Sequence, residues 1–365
     1  MNTPQEFADL LAGLRRVEAS GFAGGAALAT LTRTRGATFR RPGARMLVCG
    51  DGVVVRGLSG GCPEADIIAR AKEVIAADQP RIVRYDREHG LDALLELGCG
   101  GELEVLIEPL SGAADLRFVT PVEHCFTTRT PGFLATAFAR DGRCLAPRPR
   151  RLVWNGEVLN DDFADVALSS AVIAVAGSNQ HARVAVERIA TDAGETDVLI
   201  EELAPPHALV LIGTSSAALA LARMATQLGW LTTLVDHRGD QTAPPGMPAA
   251  VRFVNATAAA LAGKIQLDSR SSVVVMTHNL ERDIEYLNVL RSAPLAYLGA
   301  IGSRERTAKL QQATGLTAPQ LHAPAGLDLG SETPEEIALA IAAEILAVTT
   351  GHGGGVLSTL SSPIH

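Results

Sequence analysis

The strongest constraint on the fold comes from the C-terminal half, where continuous apolar segments alternate with helical patterns. The first segment, residues 208–212, directly follows the pair Pro205-Pro206. Strands that are apolar along their whole length are typical of a parallel sheet covered by helices on both faces. The sequence therefore predicts a doubly wound parallel sheet in this half. The predicted strands are 208–212, 231–235, 251–254, 272–276 and 295–298, and the predicted helices are 217–228 and 280–290.

The N-terminal half predicts a different arrangement, in which helices and strands are joined by glycine-rich loops. Pro4–Ala19 and Pro63–Ala77 carry apolar residues three and four apart, as amphipathic helices do. The expected organisation is α/β: an N-terminal α+β domain, 1–205, followed by a C-terminal Rossmann-like domain, 206–365. The pattern leaves the topology of 112–205 open. The predicted N-terminal strands are 27–33, 46–49, 53–56, 81–85, 103–107, 133–139 and 151–154.

Charge and cysteine content exclude several classes of protein. The formal net charge of −8 argues against a dedicated nucleic-acid binder. No stretch approaches the roughly 18 apolar residues of a membrane span, and the N-terminus lacks the pattern of a signal peptide. The five cysteines are an odd number, which predicts free thiols in a reducing compartment. We therefore expect a cytoplasmic protein without a membrane span or a nucleic-acid partner.

The first predicted strand of the C-terminal half leads into a degraded dinucleotide-binding turn. Gly213 ends the strand, and Asp236 closes the next strand 23 residues later. At Ser215 and Ala218 the chain lacks the second and third glycines, which allow approach to a pyrophosphate and close helix packing. Hydroxyls in the turn could still donate to an anion at the helix N-terminus. NAD is therefore not an expected cofactor, and Asp236 is either a ribose ligand or a solvated loop residue.

Further candidates follow two other strands of the predicted parallel sheet. His278 comes after the apolar strand 272–276, and Ser303 and Arg304 come after the next strand. In open α/β sheets, ligands bind beyond the carboxyl ends of the strands. His278, Ser303 and Arg304 are therefore predicted site residues. For His278 the alternative is a loop residue hydrogen-bonded to backbone.

The loop before the second predicted strand is rich in arginine although the protein is acidic. Guanidinium groups bind phosphate bidentately, so the cluster predicts a phosphate site. The alternative is a solvated loop whose arginines pair with nearby carboxylates. The cluster consists of Arg33, Arg35, Arg40, Arg41 and Arg45, of which Arg35, Arg40 and Arg41 are the predicted ligands.

Two glycine-rich turns each contain a thiol. Pro63 suits the first position of a helix, which places Cys62 near the helix N-terminus, where a thiol pKa is depressed. Glu64 opposes that shift. Thiolates bind soft metals and carry transferable sulfur, whereas the alternative is a pair of buried, inert thiols. The candidate residues are Gly60, Gly61, Cys62 and Glu64 in the first turn, and Gly98, Cys99, Gly100 and Gly101 in the second.

Together these motifs resemble the XdhC/CoxI family of xanthine dehydrogenase accessory proteins. The two cysteine turns occur in the order expected for that family, and only 112–205 lacks a matching motif. The other matching segments are Thr30–Gly36, Arg41–Met46, Val105–Pro109, Val235–Arg238, Thr277-His278, Gly299–Arg304, Gly326–Asp328, Thr333–Ala338 and Pro363–His365.

The resemblance implies a chaperone that binds the molybdenum cofactor, a molybdopterin with or without an added nucleotide. A cysteine desulfurase would supply its terminal sulfido ligand, and an apo molybdenum hydroxylase would receive it. The arginine loop, the cysteine turns and the C-terminal sheet edge, including Asp236, become the expected pocket, with Cys62 and Cys99 as contacts to molybdenum or sulfur. Two alternatives stay open: an NAD(P)-dependent oxidoreductase using His278 or Cys62, and an interaction protein with inert thiols. Homodimerisation also stays open.

Overall fold

The computed structural model describes residues 4–36, 38–58, 63–86, 101–178, 184–239 and 241–359. The chain divides into two compact units, Met1–Pro205 and Pro206–His365. Each unit has its own sheets and apolar core. No helix in the described ranges combines the length and the apolar character needed to cross a membrane.

The N-terminal unit contains two antiparallel sheets, in the orders β3-β2-β1-β5-β4 and β10-β11-β6-β8-β9, with β7 paired to β6. Its helices are α1 (Pro4–Ala19), α2 (Pro63–Ala77), α3 (Val119–Thr127) and α4 (Val166–Ser178). Its strands are β1 (Ala26–Arg35), β2 (Arg45–Cys49), β3 (Val54–Val55), β4 (Arg81–Tyr85), β5 (Glu102–Leu110), β6 (Gly132–Arg140), β7 (Arg143–Cys144), β8 (Arg150–Trp154), β9 (Val158–Asp161), β10 (Val184–Thr191) and β11 (Gly194–Leu203). The α+β prediction is confirmed.

The first sheet is buried on both faces because successive side chains of β1 point to opposite sides. Leu28 belongs to the core cluster that contains Leu10 of α1. Ala29 belongs to the cluster that contains Ile67 of α2. The two helices thus cover opposite faces, which explains why β1 is buried along most of its length.

Buried ion pairs join the two N-terminal sheets. Arg45 of β2 and Glu201 of β11 have side chains that are 0% and 2% exposed, and Arg45 Nη1 donates to Glu201 Oε1 at 2.8 Å. Arg151 of β8 pairs in the same way with Glu108 of β5. The sequence pattern placed Arg45 in a phosphate-binding or solvated arginine cluster, and the structure corrects this because the residue is an internal counter-ion.

The C-terminal unit is a five-stranded parallel sheet in the order β14-β13-β12-β15-β16. This third-second-first-fourth-fifth order is that of a Rossmann fold, so the predicted doubly wound sheet is confirmed. Its strands are β12 (Ala208–Ile212), β13 (Leu231–Asp236), β14 (Arg252–Asn255), β15 (Ser271–Val275) and β16 (Tyr297–Ala300). Its helices are α5 (Ser216–Gln227), α6 (Leu261–Lys264), α7 (Leu280–Leu290), α8 (Arg304–Thr314) and α9 (Pro334–Thr350).

The helices lie in two layers, one on each face of the parallel sheet. Leu221 of α5 and Ile341 of α9 share a core cluster with Leu211 of β12. Leu287 of α7 shares a second cluster with Ile212. The strand predicted at 295–298 occurs two residues later as β16, because Ser272 of β15 pairs with Tyr297.

Candidate functional site

The parallel sheet reverses its strand order between β12 and β15, and the chain approaches itself closely at their carboxyl ends. Gly213 has φ +123, and a Cβ at this position would lie 2.4 Å from the carbonyl oxygen of Met276. Only glycine fits such an approach. The loops that follow β12 and β15 therefore meet at the topological switch point, where open α/β sheets bind ligands.

The turn after β12 uses its serine to cap the helix. Ser215 is the N-cap of α5, and its Oγ accepts a hydrogen bond from Ala218 N at 3.3 Å. Ala218 is fully buried in the core cluster shared with α9. The positions of the second and third glycines thus serve capping and packing, and the absence of NAD binding stays a prediction.

Asp236 at the end of β13 is held by its own loop. Its Oδ1 accepts from Arg238 N at 2.8 Å and from Arg238 Nε at 3.0 Å, while Arg238 Nη2 reaches Oδ2 at 2.8 Å. Burial alone would raise the pKa of Asp236, but these bonds outweigh burial and hold the pKa below its ordinary value. With 2% exposure, Asp236 is not a solvated loop residue. A ribose would have to compete with Arg238 for it.

A cavity of about 700 Å³ lies in the C-terminal unit beyond the ends of β15 and β16. His278 and Ser303 line it, as does Arg306, which the sequence reasoning missed. The loop from Pro324 to Ser331 and residues of α5 and α9 complete the lining. Arg304 is exposed on α8 and does not line the cavity, although it was a predicted site residue.

His278 has an unusual backbone conformation at the cavity wall. Its φ is +61, in the left-handed region that non-glycine residues rarely adopt. Its side chain is exposed, and none of the described residues forms a hydrogen bond or ion pair with the imidazole. The alternative of a histidine hydrogen-bonded to backbone therefore does not fit the structure.

Arg306 is oriented by a carboxylate beneath the cavity. Its Nη2 donates to Oδ2 of Asp283 at 2.5 Å, and Asp283 is 0% exposed. The other oxygen of Asp283 accepts from the hydroxyl of Thr277, the residue before His278. Asp283 therefore fastens the His278 loop and the Arg306 side chain to the same point.

A second network holds the floor of the cavity. Glu344 of α9 accepts hydrogen bonds from Tyr297 Oη at 2.6 Å and from Gly326 N at 2.7 Å, and it contacts His322 Nδ1 at 3.0 Å. The rings of Tyr297 and His322 stack with centroids 4.4 Å apart. Glu344 thus fixes the start of the cavity loop to the sheet and to α9.

The N-terminal unit has a separate cavity of about 370 Å³, lined by Arg33, Arg35 and Arg84. Glu104 accepts from Arg33 Nη1 at 2.7 Å and from Arg84 Nε at 2.9 Å, and Arg33 Nη2 also lies 3.0 Å from Asp197 Oδ1, so two of the three guanidiniums are paired with carboxylates. Arg35 differs, because its side chain is 86% exposed and its nearest carboxylate, that of Glu102, is 3.8 Å away. Arg35 is thus the arginine best placed to meet an added anion.

The remaining arginines of the loop do not line this cavity. Arg40 donates to both carboxylate oxygens of Glu6, at 2.8 and 2.9 Å. Arg41 is exposed and also has an interaction partner. Phosphate binding by Arg35, Arg40 and Arg41 stays a prediction, and a phosphate on Arg40 would have to displace Glu6.

Most residues of the two cysteine turns lie outside the part of the chain that the structure describes: Gly60, Gly61, Cys62, Gly98, Cys99 and Gly100. Glu64 lies on α2, with its carboxylate against Gly57. Gly101 precedes β5 and packs against Gly36. A Cβ added to Gly36 would lie 3.6 Å from the Cα of Gly101. The second turn therefore rejoins the described chain beside the end of β1.

The described thiols are poor nucleophiles and poor metal ligands. Burial raises the pKa of Cys49, Cys125 and Cys144, in the last case to about 11. A thiol with a raised pKa carries little thiolate at neutral pH. Within the described ranges, no group of three or more His, Cys, Asp or Glu side chains could hold a metal ion.

Both units match known protein families. Residues 23–86 match the XdhC and CoxI family, and residues 209–345 match the XdhC Rossmann domain. The chain is 27% identical to a probable xanthine dehydrogenase subunit of Bacillus subtilis, covering 88% of this chain and 92% of that protein. It is 26% identical to the molybdenum cofactor insertion chaperone PaoD of Escherichia coli, covering 91% of this chain and 86% of that protein.

The fold agrees with these matches. A crystal structure described as a xanthine dehydrogenase from Bacillus halodurans superposes with a TM-score of 0.75 at 24% identity, covering 97% of this chain and 98% of the other. At that level of identity the likeness concerns the fold. The family matches span more than half of the chain and fall in both units. The protein therefore belongs to the XdhC and CoxI family.

Proposed function

We propose that this protein is a maturation chaperone that binds molybdenum cofactor and delivers it to an apo molybdenum hydroxylase of the xanthine dehydrogenase type. The observation that carries the proposal is the family match in both units. Relatives that align over most of their length are named for xanthine dehydrogenase and for insertion of this cofactor. The proposed action is binding and transfer rather than turnover of a substrate.

The N-terminal cavity supplies groups that fit the cofactor's phosphate. Arg35 lines it with a largely exposed guanidinium, and Gly101, two residues after Cys99 in the sequence, lies beside Gly36 at the end of the same strand. Guanidinium binds phosphate through two parallel hydrogen bonds. Arg33 and Arg84 line the same cavity but are paired with carboxylates, so Arg35 supplies its largely exposed positive charge.

The thiols of Cys62 and Cys99 are the proposed contacts for molybdenum or its incoming sulfur. When bound, the cofactor supplies a molybdenum centre that accepts a terminal sulfido ligand from a cysteine desulfurase. A thiolate is a soft ligand and suits this metal and sulfur better than a serine hydroxyl does. The described thiols have raised pKa values, so they are weaker candidates for this role.

The direct test is the molybdenum and pterin content of the full-length protein after anaerobic purification from cells that make the cofactor. We expect both to co-purify in equal amounts and to activate an apo-hydroxylase when mixed with it. Adding the desulfurase with cysteine should increase the activated fraction. A protein that carries neither molybdenum nor pterin and fails to activate the apo-hydroxylase would refute the proposed function.

The chain offers matched controls for the thiols. Cys62→Ser and Cys99→Ser should fold normally and lose cofactor retention or transfer, whereas Cys49→Ser and Cys144→Ser should retain both. Equal losses in all four variants would indicate a general effect on folding. A Cys62→Ser, Cys99→Ser double variant that delivers sulfurated cofactor at the unmodified rate would exclude the thiols from the site.

A further inference from the structure

The cavity of the C-terminal unit lies where the fold favours a ligand and has the size of a ligand site. It opens beyond the carboxyl ends of β15 and β16, next to the switch point at β12. Its volume of about 700 Å³ lies within the roughly 300–1,000 Å³ typical of small-molecule sites. All of the described residues that line it belong to this unit.

The backbone at one wall of the cavity is strained, and no described contact of the side chain there compensates for the strain. His278 adopts a left-handed φ of +61, yet its imidazole has no partner among the described residues. A non-glycine residue in this region costs of order 1–3 kcal/mol and persists where the surroundings enforce it, often at ligand sites. The residue before it, Thr277, donates its hydroxyl to the fully buried Asp283. The structure thus presents to the cavity an exposed imidazole that has no partner among the described residues.

Arg306 supplies a second oriented donor on the same side. The fully buried Asp283 binds its Nη2, and neither Nε nor Nη1 forms a hydrogen bond with the described residues. A buried carboxylate is costly unless paired, and the pair fixes the direction of the guanidinium. The Oγ of Ser303 caps α8 by accepting from Arg306 N at 3.2 Å, which leaves its hydroxyl hydrogen to donate. This hydroxyl, the remaining N–H groups of Arg306 and His278 form a polar end suited to a phosphate.

The rest of the cavity is suited to a flat ring. Ile301, Leu327 and Ile337 line it together with alanines and glycines, so its walls are apolar and shallow. The Glu344 network holds this loop through Gly326 N. Asp328 and Ser331 line the same loop and offer acceptors for ring N–H groups.

The site accommodates one half of a dinucleotide rather than the whole. On the β13 side of the switch point, Asp236 is engaged by Arg238, and Ser215 caps α5. The bonds from Arg238 occupy the carboxylate that would bind the ribose of the second nucleotide in a dinucleotide fold. The cavity lies on the side of β15 and β16.

We infer that the C-terminal cavity binds a mononucleotide, with its phosphate at His278, Ser303 and Arg306 and its base against the apolar loop. The ligand is either a free nucleoside monophosphate or the nucleotide end of a larger cofactor. The inference does not depend on the proposed chaperone function. It assigns the Rossmann-like unit a ligand of its own.

The test is calorimetric titration of the full-length protein, freed of bound cofactor, with CMP, UMP, AMP and GMP. At least one should bind more tightly than inorganic phosphate, its matching nucleoside and NAD, because only the monophosphate fills both ends of the cavity. If molybdopterin extended by the same nucleotide competes with the monophosphate, the source is a larger cofactor. If it does not compete, the source is the free nucleotide.

Two variants test the phosphate end, with a neighbouring residue as control. Arg306→Lys keeps a charge for Asp283, and His278→Gly relieves the backbone; each should weaken nucleotide binding roughly tenfold or more, as expected for loss of a charged or polar bond. Arg304→Ala, on the exposed side of α8, should bind like the unmodified protein. His278→Gly should change the free energy of unfolding by no more than about 1 kcal/mol, so weaker binding would not reflect unfolding.

The inference is overturned if no nucleoside monophosphate binds at millimolar concentration, or if both variants bind like the unmodified protein. Nucleotide binding by a protein that never retains molybdenum would support this inference and refute the proposed function. Cofactor retention without any nucleotide binding would support the proposed function and refute this inference.

Discussion

The stability of the N-terminal unit should depend strongly on the buried ion pair between Arg45 and Glu201. Glu201→Gln keeps the size of the side chain and removes its charge. Arg45 would then remain 0% exposed, with its guanidinium 5.4 Å from the ring of Phe7 and with only neutral acceptors, Gly43 O at 3.1 Å and the amide oxygen of the new Gln. Its Nε has no hydrogen-bond partner even in the unmodified chain. The charge would be buried and uncompensated.

The expected cost is large compared with the stability of a domain. Breaking one side of a buried ion pair costs about 3–5 kcal/mol, because an unpaired charge stays in the interior. Whole domains are stable by only about 5–15 kcal/mol. For a unit of this size, each kcal/mol lowers the unfolding midpoint by roughly 2–4 °C, so a fall of about 6–20 °C is expected. Arg45→Met combined with Glu201→Leu should recover most of this loss.

Each unit contains one of the two tryptophans, which allows the units to be followed separately. Trp154 lies in the N-terminal unit and Trp230 in the C-terminal unit. In a Trp230→Phe background, urea unfolding followed by fluorescence reports on the N-terminal unit alone. The control is Glu73→Gln, which breaks the exposed pair with Arg81 and should cost only about 0.2–1 kcal/mol.

Two results would refute this reasoning. Glu201→Gln could cost no more than the exposed control, which would mean that Arg45 finds water or another partner when its carboxylate is lost. Alternatively, the double apolar variant could be as unstable as the single variant. The loss would then reflect packing geometry rather than uncompensated charge.

Three further predictions concern the C-terminal unit. Titration of the unmodified protein with NAD or NADP should show no micromolar binding; such binding, abolished by Asp236→Ala, would contradict our interpretation of the degraded turn. His278→Gly should change the free energy of unfolding by no more than about 1 kcal/mol, because relief of roughly 1–2 kcal/mol of strain is offset by the entropy of glycine, and a larger loss would exclude strain. Burial alone would raise the pKa of Glu344, but bonds from His322, Tyr297 and Gly326 N outweigh it and lower the pKa below 4.5. The stabilisation that Glu344 gives the folded state is therefore complete above pH 4.5 and is lost as the pH falls through its lowered pKa. Glu344→Gln should flatten this part of the acid-unfolding curve, followed by the fluorescence of Trp230. An unchanged curve would argue against the network.

Local sequence patterns predicted the strands that are buried on both faces and the helices that are buried on one face. Ala208–Ile212 and Leu280–Leu290 occur as predicted, because a strand buried on both faces and a helix buried on one leave periodic signals in the sequence. The start of α9 is likewise a local feature, since Thr333 and Glu336 form a capping box. These features depend on neighbours within a few residues.

The antiparallel sheet between 132 and 203 was only partly predicted. Gly132–Arg140 and Arg150–Trp154 were anticipated within one residue at each end, whereas the strands Val184–Thr191 and Gly194–Leu203 were not. Val184–Thr191 is half-exposed along most of its length and lies at the edge of its sheet. Edge strands have a weak apolar signal, because they pair with a neighbour on one side only and because an exposed face does not require apolar side chains.

The sequence by itself thus determined the succession of buried strands and helices, the parallel character of the C-terminal sheet and the family resemblance. The tertiary structure decided what the polar residues do. Arg45 and Glu201 are 156 positions apart and form an internal ion pair, while Arg306 lines a cavity because Asp283 holds it from another helix. The left-handed backbone of His278 likewise depends on the loops packed around it. Local periodicity reports burial, whereas the partner of a buried charge is set by distant segments that only folding brings together.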